Sequence, residues 1–330
     1  MNPRRCAGAV MVAVLSSLLV SCGEDAEPVT VGLITKREDN PYWVAMRKVA
    51  EDVAGDEDVT LLTAAGEHEQ DVAGQRAAMK EMLEAGVDGI LIAPVNSTEL
   101  LPDIEAAQED GVVVIALDTA TDPEDATDAL FATDNEQAGE LVGAYAAARI
   151  KELGADPQIA MLDLAPGISS GEQRHDGFLT GFGIDDDDEV IVGMVDTEGT
   201  EELGEEGLAT LLEENPDINI VYTVNEPAAT GALAALEAAG KDLDEVIVVS
   251  VDGSCDAVKG PVRDGDIDAT AQQYPENMAR EGVTRIAEFV RGGERPEGYL
   301  DTGVQLITHN EVSGVRSRDV AYGVRNCWGS

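Results

Sequence analysis

From residue 29 onward, short runs rich in Val, Ile, Leu and Ala alternate with longer stretches whose apolar positions recur every three or four residues. The first pattern suits strands and the second amphipathic helices. Residues 29–35 (VTVGLIT) predict a strand. Residues 41–55 predict a helix: Pro41 belongs in a first turn, Trp43, Met46, Val49, Ala50 and Val53 recur at helical spacing, and Gly55 stops it. A strand at 58–63, a helix at 70–86, a strand at 89–93 (GILIA), a helix near 98–111 and a strand at 112–117 (VVVIAL) complete a first series. In a second series the strands fall at 129–133, 158–163, 189–195, 220–223, 246–252 and 269–273. The helices of that series fall at 135–153, 169–183, 201–215, 226–240 and 255–265. A last helix at 275–292 precedes a strand at 303–308. Repeated strand–helix–strand units demand parallel sheets with right-handed crossovers. The strands are too many for one small sheet. The expected fold is therefore α/β, with two open, parallel, Rossmann-like sheets, and the 330 residues agree with two domains at about 100–200 residues each.

The first 28 residues break this pattern. Arg4 and Arg5 precede an apolar stretch at 7–20, the length of a secretory signal and too short to span a bilayer. Leu19-Val20-Ser21-Cys22, followed by Gly23, resembles a bacterial lipobox, which implies that Cys22 carries a lipid anchor after cleavage. The alternative is an ordinary signal with a chance Cys. Residues 23–28 read as a polar tether. Cys6 then leaves with the signal, and Cys255 and Cys327 remain, as a disulfide in an oxidising setting or as two buried thiols. His68, His175 and His309 are scattered, so neither metal nor cofactor is expected.

Charge narrows the function classes. Lys+Arg is 21 against 66 Asp+Glu, a net charge of −45, which excludes non-specific nucleic-acid binding and a cationic grip on anionic lipid. Membrane contact is expected through the lipid alone. A surface with so many acids and few Lys repels itself at low salt and is screened at high salt, as in a saline habitat. Asp185–Asp188 reads as a solvated loop, since it lacks the Gly and closing Glu of a calcium loop.

In open α/β sheets ligands bind outside the carboxyl ends of the strands. Those ends carry Lys36 with Asn40, Tyr42 and Trp43; Asp118 and Thr119; Asn225; Asp252; and Gln273, while Arg174 sits on the helix at 169–183. Two carboxylates, amides, a guanidinium and two aromatic rings are the set that holds a sugar: hydroxyls donate to carboxylates and accept from Arg and Asn, and C–H faces stack on rings. Taken singly, strand-end Asp and Asn are as readily turn or cap residues.

Asn40-Pro41-Tyr42-Trp43, Leu117-Asp118, Ala132-Thr133-Asp134-Asn135, Arg174-x-x-Gly177-Phe178, Asn225-Glu226, Val251-Asp252-Gly253 and Gln273-x-Pro275 resemble, in order, periplasmic sugar-binding proteins of the ribose-binding type over residues 28–310. The resemblance implies a type 1 periplasmic binding protein architecture, two lobes joined by a three-strand hinge. It implies lobes of 29–133 plus 275–300 and 134–274 plus 301–330, with crossovers near 133–135, 273–275 and 300–303. It implies ligand contacts from Asn40, Tyr42, Trp43, Asp118, Arg174, Asn225, Asp252 and Gln273, and a monomer delivering its sugar to the permease and ATPase of an ABC importer. Lys36 stands where ribose receptors have Ser, and Thr119 where they have a second Arg. These two positions, with Asp252-Gly253-Ser254-Cys255 and the Cys327-Trp328-Gly329 segment, are more similar to a fructose-binding branch, in which the two Cys recur; this implies a Cys255–Cys327 bridge and makes fructose the first expected ligand and ribose or another pentose the second. The expected location is extracytoplasmic.

Two other classes are weighed. A receptor presenting its sugar to a signalling kinase would use the same closed form. Gly167-Ile168-Ser169-Ser170-Gly171 matches a hydrolase elbow with Ser169 as nucleophile, but Pro166 separates it from its strand and no HGGG-like segment precedes it, so no enzyme is expected. A cytoplasmic sugar-responsive repressor would need a basic headpiece, which the chain lacks.

Overall fold

The computed structural model describes residues 28–329. The signal segment, Cys22 and most of the tether lie outside the described residues. The first series runs β1 (Val29–Thr35), α1 (Pro41–Asp56), β2 (Val59–Ala65), α2 (Val72–Ala85), β3 (Gly89–Ile92), α3 (Leu101–Glu109), β4 (Val113–Leu117) and β5 (Ala129–Ala132). It continues with α4 (Asn135–Leu153), β6 (Ile159–Asp163), α5 (Ser169–Phe182), β7 (Ile191–Asp196), α6 (Glu201–Glu214), β8 (Ile220–Thr223), α7 (Glu226–Ala238) and β9 (Ile247–Asp252). The remainder is α8 (Cys255–Lys259), α9 (Pro261–Asp264), β10 (Ala269–Gln272), α10 (Pro275–Val290), β11 (Gly298–Asp301), β12 (Gln305–Thr308), β13 (Arg318–Asp319) and α11 (Val320–Asn326).

The strands form two sheets, β11-β5-β4-β3-β1-β2 and β13-β12-β10-β9-β8-β6-β7. Each is covered on both faces, which is why its central strands are apolar throughout. In β3, Leu91 joins the core under α1 and α10, whereas Ile90 and Ile92 join the core under α2 and α3. The second sheet is covered by α4 and α5 on one side and by α6, α7 and α8 on the other. The chain passes between the sheets three times, from β5 to α4, from β10 to α10, and from β11 to β12.

Several expectations need correction. β12 pairs antiparallel with β10, so the second sheet is not wholly parallel. It enters from the neighbouring lobe through three residues, too short a link for a crossover helix. The helix expected over 255–265 breaks at Gly260, where Pro261 disfavours helical geometry in the residue before it. The strand expected at 189–195 is Ile191–Asp196, and the helix near 98 begins at Leu101. β11, β13 and α11 carry no periodic signal that the sequence reading caught.

Candidate functional site

The residues expected at the site sit at one edge of each sheet, and the two edges face each other. Lys36 follows β1. Asn40 caps α1, its side chain accepting from the Tyr42 N–H at 2.9 Å, so the first turn presents Tyr42 and Trp43. Asp118 and Thr119 follow β4, and Asp252 ends β9. Asn225 caps α7 by accepting from the Ala228 N–H at 3.1 Å, and Arg174 projects from α5. Lys36, Asn40, Tyr42, Trp43, Asp118, Arg174, Asn225 and Asp252 line one cavity of about 30 Å³ between the lobes.

Arg174 is the centre of the arrangement. Its Nε donates to Asn135 Oδ1 at 2.8 Å, Nη1 to the Val224 carbonyl at 3.0 Å and Nη2 to Gln273 Oε1 at 3.2 Å. The same guanidinium lies 3.6 Å from Asp118 Oδ1 and 3.8 Å from Asp252 Oδ1, one carboxylate from each lobe. Tyr42 donates its hydroxyl to Asp118 Oδ1 at 3.0 Å, and Gln273 Nε2 donates to Asp252 Oδ1 at 2.7 Å. Lys36 Nζ lies 4.0 Å from Asp118 Oδ2 and 5.7 Å from the Trp43 ring centre. Both carboxylates stand on unusual backbone, with φ of 64° at Asp118 and 112° at Asp252. Such conformations cost energy in a non-glycine residue and persist where the surroundings hold them.

Burial decides the electrostatics. It pushes the Asp252 carboxyl up to about 7, with Glu226 adding to the rise and Arg174 opposing it. Burial likewise raises Glu69, against the pull of Lys36. A carboxyl raised in the folded chain above its unfolded value of about 4 stabilises the fold at low pH, and that contribution is lost as pH rises from about 4 to 7. The stability of the wild type relative to Asp252→Asn should therefore fall by up to a few kcal/mol from pH 4 to pH 7 and stay level above it. Urea unfolding of both proteins across that range measures it. A pH-independent difference would contradict the shift.

Thr119 and Gln273 are not among the residues lining the cavity. Thr119 donates its hydroxyl to Asp118 Oδ2 at 2.8 Å and meets Ser170 Oγ across the lobes at 2.9 Å. Gln273 braces Tyr42, Arg174 and Asp252 from behind. Glu69, Leu164 and Ser170 line the cavity and were missed by the sequence reading. Glu69 is buried and accepts from Trp43 Nε1 at 3.3 Å. It follows β2 at the sheet edge that β1 and β4 also use, so the strand-end rule could have found it. The Cα atoms of Cys255 and Cys327 lie 4.8 Å apart, a separation that suits a disulfide. The hydrolase constellation does not assemble: the Ser169 hydroxyl donates to the Ala120 carbonyl at 2.9 Å. His175 is held between Asp163 and Asp186, and His309 is exposed.

Two α/β lobes that face each other across a buried polar cavity define a two-lobed binding protein. The chain belongs to the family described as the periplasmic binding protein domain, whose model matches residues 31–294. It is 28% identical over 279 residues to the ribose import binding protein RbsB of Bacillus subtilis, covering 84% of this chain and 87% of that protein. It is 27% identical over 319 residues to a D-ribose/D-allose-binding protein of Pseudomonas aeruginosa, covering 92% and 98%. A solved structure of an ABC transporter periplasmic solute binding protein from Actinobacillus succinogenes with bound D-allose superposes with a TM-score of 0.75 at 25% identity, covering 85% of this chain and 98% of that one.

Proposed function

We propose that the protein is an extracytoplasmic receptor, lipid-anchored through Cys22, that closes its lobes around one monosaccharide and delivers it to the permease of an ABC importer. The observation that carries this reading is the single guanidinium of Arg174 set between one carboxylate of each lobe, beside Tyr42 and Trp43. Sugar hydroxyls can take over these bonds, donating to Asp118 and Asp252 and accepting from Arg174, Lys36 and Asn225. A cavity of about 30 Å³ holds roughly one water, so a monosaccharide enters with the lobes further apart. Contacts to both lobes then favour closure.

Fructose is the first candidate. Lys36 and Thr119 replace a small hydroxyl and a forked cation of the ribose pattern, which changes the donors around the sugar. Ribose and allose are the second reading, favoured by what the names of the relatives say they bind. Calorimetric titration with fructose, ribose, allose and arabinose, alongside tryptophan emission, tests the proposal. Saturable binding of one of them at the micromolar level supports it; if none binds or shifts the melting temperature, the ligand class is wrong.

The Cys255–Cys327 pair belongs to the same reading, as a disulfide formed after export. It closes a loop with a sequence separation of 72. Cys255→Ser/Cys327→Ser should lower stability by about 2–5 kcal/mol in urea unfolding, an effect that a reductant reproduces on the wild type. Equal stability with and without reductant would remove the bridge from the proposal.

A further inference from the structure

Asp252 is held in its unusual conformation from several sides. Glu226 N donates to its carboxylate at 3.1 Å, and its backbone carbonyl accepts from Gln273 N at 2.9 Å. That carbonyl also accepts from Trp328 Nε1 at 2.9 Å. Trp328 comes from the second lobe: it follows α11 and Cys327, and its own carbonyl accepts from Cys255 N at 2.9 Å. Its ring, however, is buried in the first lobe's core with Met278 and Tyr42. It meets the Tyr42 ring edge-on, with centres 5.4 Å apart. Tyr42 in turn holds Asp118. One indole, which does not line the cavity, thus touches the backbone of one pocket carboxylate and the ring that orients the other.

We propose that Trp328, fastened to the second lobe by Cys255–Cys327, is a positioning residue that sets Asp252 and Tyr42 together and biases the lobes toward closure. The proposal rests on the sugar-binding reading above and concerns how that site is regulated. The edge-to-face ring pair spans the two lobes and must be broken or strained when they separate, while the buried Trp328 Nε1–Asp252 hydrogen bond lies within the second lobe and orients the indole for that contact. Losing them lowers the cost of opening and speeds release of the bound sugar.

Two variants divide the interaction. Trp328→Phe keeps a ring against Tyr42 and removes the Nε1–H donor; Trp328→Leu removes both. Trp43 is then the remaining tryptophan and reports on the pocket. Release rates by stopped-flow fluorescence should rise about threefold to tenfold for Trp328→Phe and more for Trp328→Leu, with affinity falling in step. Small-angle scattering of the sugar-free protein should give a larger radius for Trp328→Leu, and Cys255→Ser/Cys327→Ser should fall between it and the wild type. Variants that are less stable but bind and release sugar like the wild type would make Trp328 merely structural and overturn the proposal. If the wild type binds none of the sugars tested, the proposed function fails; the scattering comparison still decides here, an unchanged radius overturning the proposal and a larger one supporting it.

Discussion

Arg174→Ala should weaken sugar binding by at least about a hundredfold, because removing one partner of a buried ion pair costs about 3–5 kcal/mol and each 1.4 kcal/mol is a factor of ten. The guanidinium faces Asp118 and Asp252 and saturates the acceptors of Asn135, Val224 and Gln273. Its loss leaves two carboxylates on opposing lobes with no cation between them. Lys36, 4.0 Å from Asp118, answers only one of them. The pocket then loses the group that bridges its two lobes, so the deficit belongs to closure as well as to contact. Arg174→Lys restores the charge without the fork and should recover only part of the affinity. Calorimetry with the best sugar of the panel measures both variants. An Arg174→Ala protein that binds like the wild type would remove Arg174 from the site.

How far the site could be read from the sequence follows from the geometry of parallel sheets. In an open α/β lobe every strand delivers its following loop to the same edge, so Lys36, Asp118 and Asp252 were legible as neighbours although up to 216 positions separate them. The two-period alternation was strong because central strands such as β3 and β4 are buried on both faces and leave no polar interruption. The failures lie where tertiary pairing overrides local pattern. β11 is largely exposed, and β12 is antiparallel because of where the chain enters the second lobe, which no local period records. Glu69 was passed over because β2 is an edge strand with a weaker apolar run, so its loop was not read as a site loop. Trp328 was legible as part of the Cys327-Trp328-Gly329 segment that resembles the fructose-binding branch; its reach into the opposite lobe is tertiary packing that no local pattern records.

The packing of α4 on α5 gives the largest expected loss of stability. Gly139 and Gly143 on α4 face Gly177 and Gly181 on α5, so the two backbones touch without side chains between them. A Cβ at Gly139 would overlap the Arg174 carbonyl oxygen, and one at Gly177 the Glu136 carbonyl oxygen. These neighbours are helix backbone and cannot rotate aside as a side chain can. The helices must separate, and with them the residues they carry: Asn135 opens α4, Arg174 sits on α5, and the two are bonded at 2.8 Å. Gly143→Val, one turn further from the pocket, should cost about 3 kcal/mol or more in urea unfolding, at the upper end of overpacking effects. Gly139→Ala should cost about 2 kcal/mol and also weaken sugar binding, because it displaces the segment of α5 that bears Arg174. Gly55 in α1 is the control, since nothing lies within 4 Å of a Cβ built there. Gly55→Ala should leave binding unchanged and raise stability by up to about 1 kcal/mol, the helix-propensity gain of Ala over Gly. If Gly139→Ala proved as stable and as tight-binding as Gly55→Ala, the close approach of α4 and α5 would not be what sets the reach of Arg174 into the pocket.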